Sequence, residues 1–418
     1  LSKKVARSRE SLGESEDMAL NNAGKKVIFI AATRQHVGKT TVSLGIISGL
    51  KKRFKNVGFI KPVGQQHELT EGGILVDKAS YHPHDVSLMK EFFGLKCRYE
   101  DMSPVLIPSG YTRDYIDGKI AAGEQLKDVR SSFQHVLDAS DVVVLEGTGH
   151  TAVGSVVDLN NAQVAKALNA DMILVANGGL GSAYDELELN RGICEKYGIN
   201  VRGVVLNKVV PGKLDMVKEY FGKLLKSWDV PLLAVVPDEP YLARPALIDL
   251  EKIFKTKLLA GFGHRRHPHY SIKHTLMAAT GLRVFLEKLE CAPSNPLVVT
   301  HCTRNDIVLG FLAHAKKVKE REGEFGGALV LTGQDLRPMK YVENLLKMHD
   351  IPVIVSNAST FDTMDRIRRH AVRFRNRSFG SYTPKLHKED EVRVRLAVSH
   401  YEPYIDFDTM LRPTEGNS

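Results

Sequence analysis

The ten residues Ala32 to Thr41, ATRQHVGKTT, carry the most specific chemistry in the chain. They fit the phosphate-loop pattern G-x-x-x-x-G-K-[ST], except that Thr33 stands where the first glycine belongs. In such a loop the backbone N–H groups cradle phosphate oxygens, here those of Thr33, Arg34, His36, Val37 and Gly38 through Thr41. The helix that follows adds the positive end of its dipole. Gly38 lets the backbone approach the ligand, Lys39 reaches the β- and γ-phosphates, and the Thr40 hydroxyl ligates Mg²⁺. Two other clusters are less specific. The turn GGLGSAYDE, Gly178 to Glu186, binds a substrate, forms a dimer face, or simply starts a helix capped by Ser182. His264, His267, His269 and His274 crowd together, but Pro268 interrupts them and no cysteine is near, so an exposed basic joint is expected rather than a metal site.

A loop of this kind needs a strand before it and an amphipathic helix after it. KVIFIAA supplies the strand, and TTVSLGIISGLKKRF supplies the helix, with Val42, Ile46, Ile47 and Leu50 on one face. NVGFIKPVG, DVVVLEGTGH, ADMILVANGGLGS, VRGVVLNKVVPG and VPLLAVVPDEPYLARP each open on an apolar run, with helical segments between them. Continuous apolar strands alternating with helices predict an α/β fold, a doubly wound and mainly parallel sheet covered on both faces. Ligands of such sheets sit at the carboxyl ends of the strands, where every suspect loop here falls. Past Ala246 the pattern restarts as strand, helix, strand, helix, strand, helix, which predicts a second, smaller α/β domain.

The missing glycine looks like a family trait. ATRQHVGKTTVSLG resembles the loop of dethiobiotin synthetase, and that of the synthetase-like domain that opens many bacterial phosphotransacetylases; threonine replaces the same glycine there. FIKPVGQ, VVVLEGTGH, GVVLNKV and VPDEPYLARP are similar to further synthetase segments, so the resemblance covers about residues 25 to 245. THCTRNDIVLGFL and LVLTGQDLRP resemble, loosely, the DRTGG domain that follows in phosphotransacetylases.

The resemblance implies ATP and Mg²⁺ as ligands. It implies that Glu146, at a strand terminus, holds the metal with Thr40 and one of two aspartates, Asp85 or its rival Asp77. Lys61 would neutralise charge on a transferred phosphoryl group, which sets Lys39, Lys61 and Glu146 as the catalytic residues. Asn207 and Pro237 would border the adenine. In partitioning ATPases a lysine at the place of Arg34 crosses a dimer interface, which implies a homodimer with Arg34 acting in trans.

Two functions follow. One is ATP-dependent phosphoryl transfer to a carboxylate or carbamate, as in a carbon–nitrogen ligase. The other is a nucleotide-gated regulator or scaffold acting on a protein partner through the second domain; a structural subunit without turnover is a remoter variant. The phosphotransacetylase catalytic domain is not expected in a chain ending at Ser418.

The expected organisation is a disordered leader (1–24), a P-loop domain (25–245), a DRTGG-like domain (246–392) and a C-terminal tail (393–418). The leader has Arg and Ser but too many acids for a clean transit peptide. No apolar run is long enough to span a bilayer, so a soluble protein is expected, cytoplasmic or in an organelle matrix or stroma. The net charge of +9 is spread over 418 residues without a basic stripe, which speaks against nucleic acid. The four scattered cysteines give neither a zinc motif nor a disulfide framework.

Overall fold

The computed structural model describes residues 20–22, 24–64, 67–69, 75–77, 85–121, 123–243, 245–266, 272, 274–291, 295–333, 338–369 and 388–413. The chain divides into two compact units, Leu1–Glu239 with Arg373–Ser418, and Pro240–Val372.

In the first unit the apolar runs become the strands β1 (Lys26–Ala32), β2 (Val57–Ile60), β3 (Val142–Glu146), β4 (Asp171–Asn177), β5 (Val201–Val209) and β6 (Leu232–Pro237). They form one parallel sheet in the order β6-β5-β4-β1-β3-β2. Val142 to Leu145 are fully buried, as strands covered on both faces require. From β1 the chain steps to β2 and β3 on one side; it then crosses to β4, β5 and β6 on the other. The loop after β1 lies at that reversal, where such sheets bind ligands. Register brings Glu146 beside Ile30 on β1, and Asn207 beside Asn177 on β4, so both lie at the carboxyl edge.

The helices that matter to the site are α1 (Lys39–Lys51), α2 (Asp85–Phe93), α3 (Glu124–Asp138), α4 (Gly181–Tyr197) and α5 (Leu214–Lys226). Val42, Ile46, Ile47 and Leu50 are buried as the spacing predicts. Ser182 does not cap α4: the helix begins at Gly181, Leu180 is the cap residue, and no side chain closes it.

The second unit contains α6 (Leu247–Phe254), β7 (Leu258–Ala260), β8 (His274–Met277), α7 (Leu282–Cys291), β9 (Pro296–His301), α8 (Asn305–Glu322), β10 (Ala328–Thr332), α9 (Lys340–Met348), β11 (Val353–Ser356) and α10 (Thr360–Arg369). Its sheet runs β7-β11-β10-β9-β8, parallel apart from β7 against β11. Phe285, Phe311, Leu329 and Leu346 fill one face; Leu250, Leu297, Val330 and Ile354 fill the other. This is the smaller α/β domain that the sequence predicts.

The C-terminal segment, expected as a tail from 393, carries further helices. Lys388–Tyr401 is a helix, α11, and Phe407–Leu411 another, α12; both belong to the first unit. They seat on α1, where Gly45 and Gly49 recur at four-residue spacing and present one bare face. A Cβ on Gly45 would stand 2.7 Å from Tyr401 Cβ, and one on Gly49 would strike the Phe407 ring. Ser48 Oγ donates to Glu402 at 2.7 Å, the Asp406 amide donates to the Leu233 carbonyl at 2.8 Å, and the Arg53 guanidinium lies 4.3 Å from the Phe407 ring centre.

Gly49→Ala is therefore expected to destabilise the protein by about 1–2 kcal/mol, because overpacking costs more than the roughly 1 kcal/mol that alanine adds to a helix interior. Gly192→Ala in α4, where an added Cβ meets nothing within 4 Å, is expected to stabilise by about 0.5–1 kcal/mol. Urea unfolding of the two variants checks the opposite signs.

Candidate nucleotide site

Three sets of contacts build the loop between β1 and α1. Its entry extends the sheet: the Thr33 amide donates to the Val175 carbonyl at 2.9 Å. The Thr33 hydroxyl donates to Glu186 Oε2 on α4 at 2.7 Å, and the Thr33 carbonyl accepts from Asn190 Nδ2 at 3.2 Å. These bonds explain why threonine replaces glycine. The left-handed region is taken at His36 (φ 62°) and Gly38 (φ 104°), not at Thr33, so the first position needs no glycine. Arg34 pairs with the same acid, its Nε 3.4 Å from Glu186 Oε1, with the side chain 57% exposed.

The loop's far end is braced from β5. Asn207 is fully buried; its Nδ2 donates to the Val37 carbonyl at 2.8 Å, and its Oδ1 accepts from the Lys208 amide at 2.8 Å. Lys208 Nζ donates to the His36 carbonyl at 2.9 Å. Burial first, with Arg34 beside it, lowers the Lys208 pKa, against the raising effect of Asp238. With these carbonyls tied down, α1 starts at Lys39 with no side-chain cap, and Thr41 Oγ1 donates back to the Gly38 carbonyl at 2.7 Å. An uncapped helix start keeps its first N–H groups available to an anion.

Facing this loop is a cluster of acids and a lysine. Thr40 Oγ1 donates to Glu146 Oε1 at 2.9 Å and lies 3.3 Å from Asp85 Oδ1. Lys61 Nζ is in contact with Asp85 Oδ2, and both are shielded from solvent. Burial would raise the Asp85 pKa, but the Lys61 ammonium outweighs it and holds the carboxyl below its ordinary value, helped by Lys39. Glu146 is pushed up to about 7, by burial first and by the Asp85 carboxylate second. Its Oε2 is a buried acceptor without a hydrogen-bond partner. An orphaned acceptor among a hydroxyl and two carboxylates is a set of hard oxygen donors, and it fits Mg²⁺, which takes few protein ligands and keeps waters and phosphates.

Thr33, Val37, Gly38, Thr40, Thr41, Lys61, Asp85 and Glu146 are thus gathered around one loop at the carboxyl edge. Asp77 closes the short strand Leu75–Asp77, and its side chain lies outside the described residues. Asn207 braces the loop with one bond at each end of its amide, and a second N–H and a second lone pair remain to it. The Pro237 carbonyl accepts from His400 Nε2 at 2.9 Å. His264 bonds Asp350 at 3.1 Å in the second unit, and His267 and His269 lie outside the described residues.

Sequence reasoning missed Glu186, Asn190 and Tyr401. The first two sit in DELELN, four residues apart on the face of α4 that meets the loop, and this spacing is a readable signal. Nothing local points to Tyr401.

A parallel sheet with a glycine-lysine-threonine turn at its reversal, acids at the ends of the adjoining elements and main-chain amides at an uncapped helix start define a P-loop NTPase fold. A family model described as an AAA domain matches residues 26–246, more than half the chain, and the protein belongs to that family, in its dethiobiotin synthetase-like form. A second model, described as a DRTGG domain, matches residues 252–370. The chain is 25% identical over 390 residues to a phosphate acetyltransferase of Nitratidesulfovibrio vulgaris, covering 91% of this chain and 50% of that protein. It is 27% identical over 206 residues to the ATP-dependent dethiobiotin synthetase BioD of Clostridium perfringens, covering 49% of this chain and 86% of that one. The chain spans about half the length of the curated phosphate acetyltransferases it matches. Among solved structures, a putative plasmid partition protein of Borrelia burgdorferi bound to AMPPNP aligns at 17% identity and a TM-score of 0.33, over 51% of this chain and 87% of that one. No helix among the described residues is long and apolar enough to cross a membrane.

Proposed function

We propose that the protein binds ATP with Mg²⁺ at residues 33–41 and transfers the γ-phosphoryl group to a carboxylate or carbamate oxygen. The observation that carries this reading is the placing of Lys61 beside Asp85, Thr40 and Glu146. A second, shielded ammonium close to the phosphate loop suits an anionic acceptor, and pure nucleotide storage has no use for it. Main-chain amides of the loop and α1 hold the β- and γ-phosphates, with Lys39 along them. Thr40, Asp85 and Glu146 would hold the metal; bound there, it would offset charge on the β- and γ-oxygens. An acceptor oxygen forms a bond to the γ-phosphorus, the bond to the β-bridging oxygen breaks, ADP leaves, and a mixed anhydride results. Lys61 holds the acceptor in line and balances the charge gathering on its oxygen.

The test is ADP release with and without small mono- and dicarboxylates and amine-plus-bicarbonate mixtures. Acceptor-stimulated release is expected, by tenfold or more over the rate without acceptor, on the order of what a positioned reactant contributes. A slow rate that no acceptor changes contradicts the transfer reading. The matched domain order, that of the first half of phosphate acetyltransferases, favours a second reading in which nucleotide state gates a homodimer or a protein partner. ATP-dependent dimerisation without stimulated release would favour it.

A further inference from the structure

The loop has two flanks. Lys61, Asp85 and Glu146 gather on the β2 and β3 side; the other flank is formed by the ends of β5 and β6 and by the end of α11. On the proposed reading, on which this inference rests, the γ-phosphate meets the acidic flank. The remaining length of a nucleotide, base included, then extends toward the second flank.

That flank is aromatic. His400 bonds the Pro237 carbonyl at 2.9 Å, and its ring centre lies 5.3 Å from that of Tyr401 and 5.8 Å from that of Tyr404. Tyr401 is the anchor: only 4% exposed, it packs against Gly45 and faces the side chains of Thr41 and Asn207. Tyr404 is 42% exposed, and His400 is partly exposed. Asn207 and Pro237, the base-side residues expected from sequence, each bond to the chain. His400 and Tyr404 present partly exposed rings on this flank that suit a flat heterocycle. Residues 400–404 lie beyond both matched ranges, 26–246 and 252–370, so neither domain model accounts for them.

We propose that the returning C-terminal segment supplies the base end of the nucleotide site, with His400 and Tyr404 as the residues that contact a nucleobase. Tyr401 is a positioning residue: it fixes their backbone on α1.

The experiment compares two probes on the full chain by calorimetry with Mg²⁺: a non-hydrolysable ATP analogue, and inorganic tripolyphosphate, which has the phosphates but no base. Base–aromatic contacts contribute about 1–3 kcal/mol each, so Tyr404→Ala and His400→Ala should each weaken the analogue about fivefold to tenfold or more. Tripolyphosphate affinity should stay within about twofold, and this also reports that the loop and fold are intact. Loss that is equal for both probes, or no loss for either, overturns the inference and leaves the phosphate site standing. Failure of the parent protein to bind either probe overturns the proposed function itself.

Discussion

Lys39→Ala is expected to weaken binding of a magnesium-bound ATP analogue by about 100-fold or more, with the melting temperature of the ligand-free protein changed by only a few degrees. Lys39 is the first residue of α1, directly after the tied-down loop, and close enough to influence both Asp85 and Glu146. On the proposed reading its amine would supply charge-assisted hydrogen bonds to phosphate, each contributing roughly 1.5–3 kcal/mol, and tenfold in affinity is about 1.4 kcal/mol. Truncation removes these contacts and leaves the Asn207 and Lys208 braces in place, so binding and folding should part company. Calorimetry with the analogue, and thermal unfolding without it, read the two separately. Parent-like affinity in this variant would remove Lys39 from the site.

The opposite pattern is expected for Gly38→Ala, which should lower stability as well as abolish binding. Gly38 has φ 104°, where a side chain is strained by about 1–2 kcal/mol. The added Cβ would also press on Asn207 Nδ2 and sit 3.0 Å from Thr41 Oγ1. Asn207 can yield only by giving up a bond, because it is fully buried and bonded at both ends of its amide. Losing its bond to the Val37 carbonyl costs roughly 1 kcal/mol more. The total, about 2–3 kcal/mol, corresponds to a fall of roughly 4–12 °C for a unit of this size. If the clash carries the effect, Asn207→Ala should cost less in the Gly38→Ala background than in the parent, by about 1 kcal/mol in a double-mutant cycle. Strict additivity would mean that the two residues do not meet as described.

The part of the site that was legible in the sequence is the part written in short segments. An apolar strand, a glycine-lysine-threonine turn and a helix with buried Val42, Ile46, Ile47 and Leu50 are adjacent in the chain, and local pattern suffices to read them. Glu146 was legible because it ends the apolar run Val142 to Leu145. The place of Asp85 was not: it depends on where Lys61 and Thr40 come to lie in space, across β2 and α1. Asn207 shows the same limit from the other direction. Its position at the edge was readable from the end of β5, but its use as a brace depends on the Val37 carbonyl, 170 residues earlier. The C-terminal helix was least legible. KEDEVRVRLAVSHY has no feature that names its partner; the partner is the bare Gly45 and Gly49 face of α1, and the pairing exists only once both are folded. The glycines themselves, four apart in a helix otherwise rich in branched residues, were the readable half of that signal.

A crystal structure with Mg²⁺ and a non-hydrolysable ATP analogue tests the central claim most directly. The account predicts β- and γ-phosphate oxygens within about 3 Å of the main-chain N–H groups of Gly38 to Thr41, with the ion between Thr40 and Glu146. An analogue bound elsewhere, while residues 33–41 keep their present bonds and touch no phosphate, would contradict it.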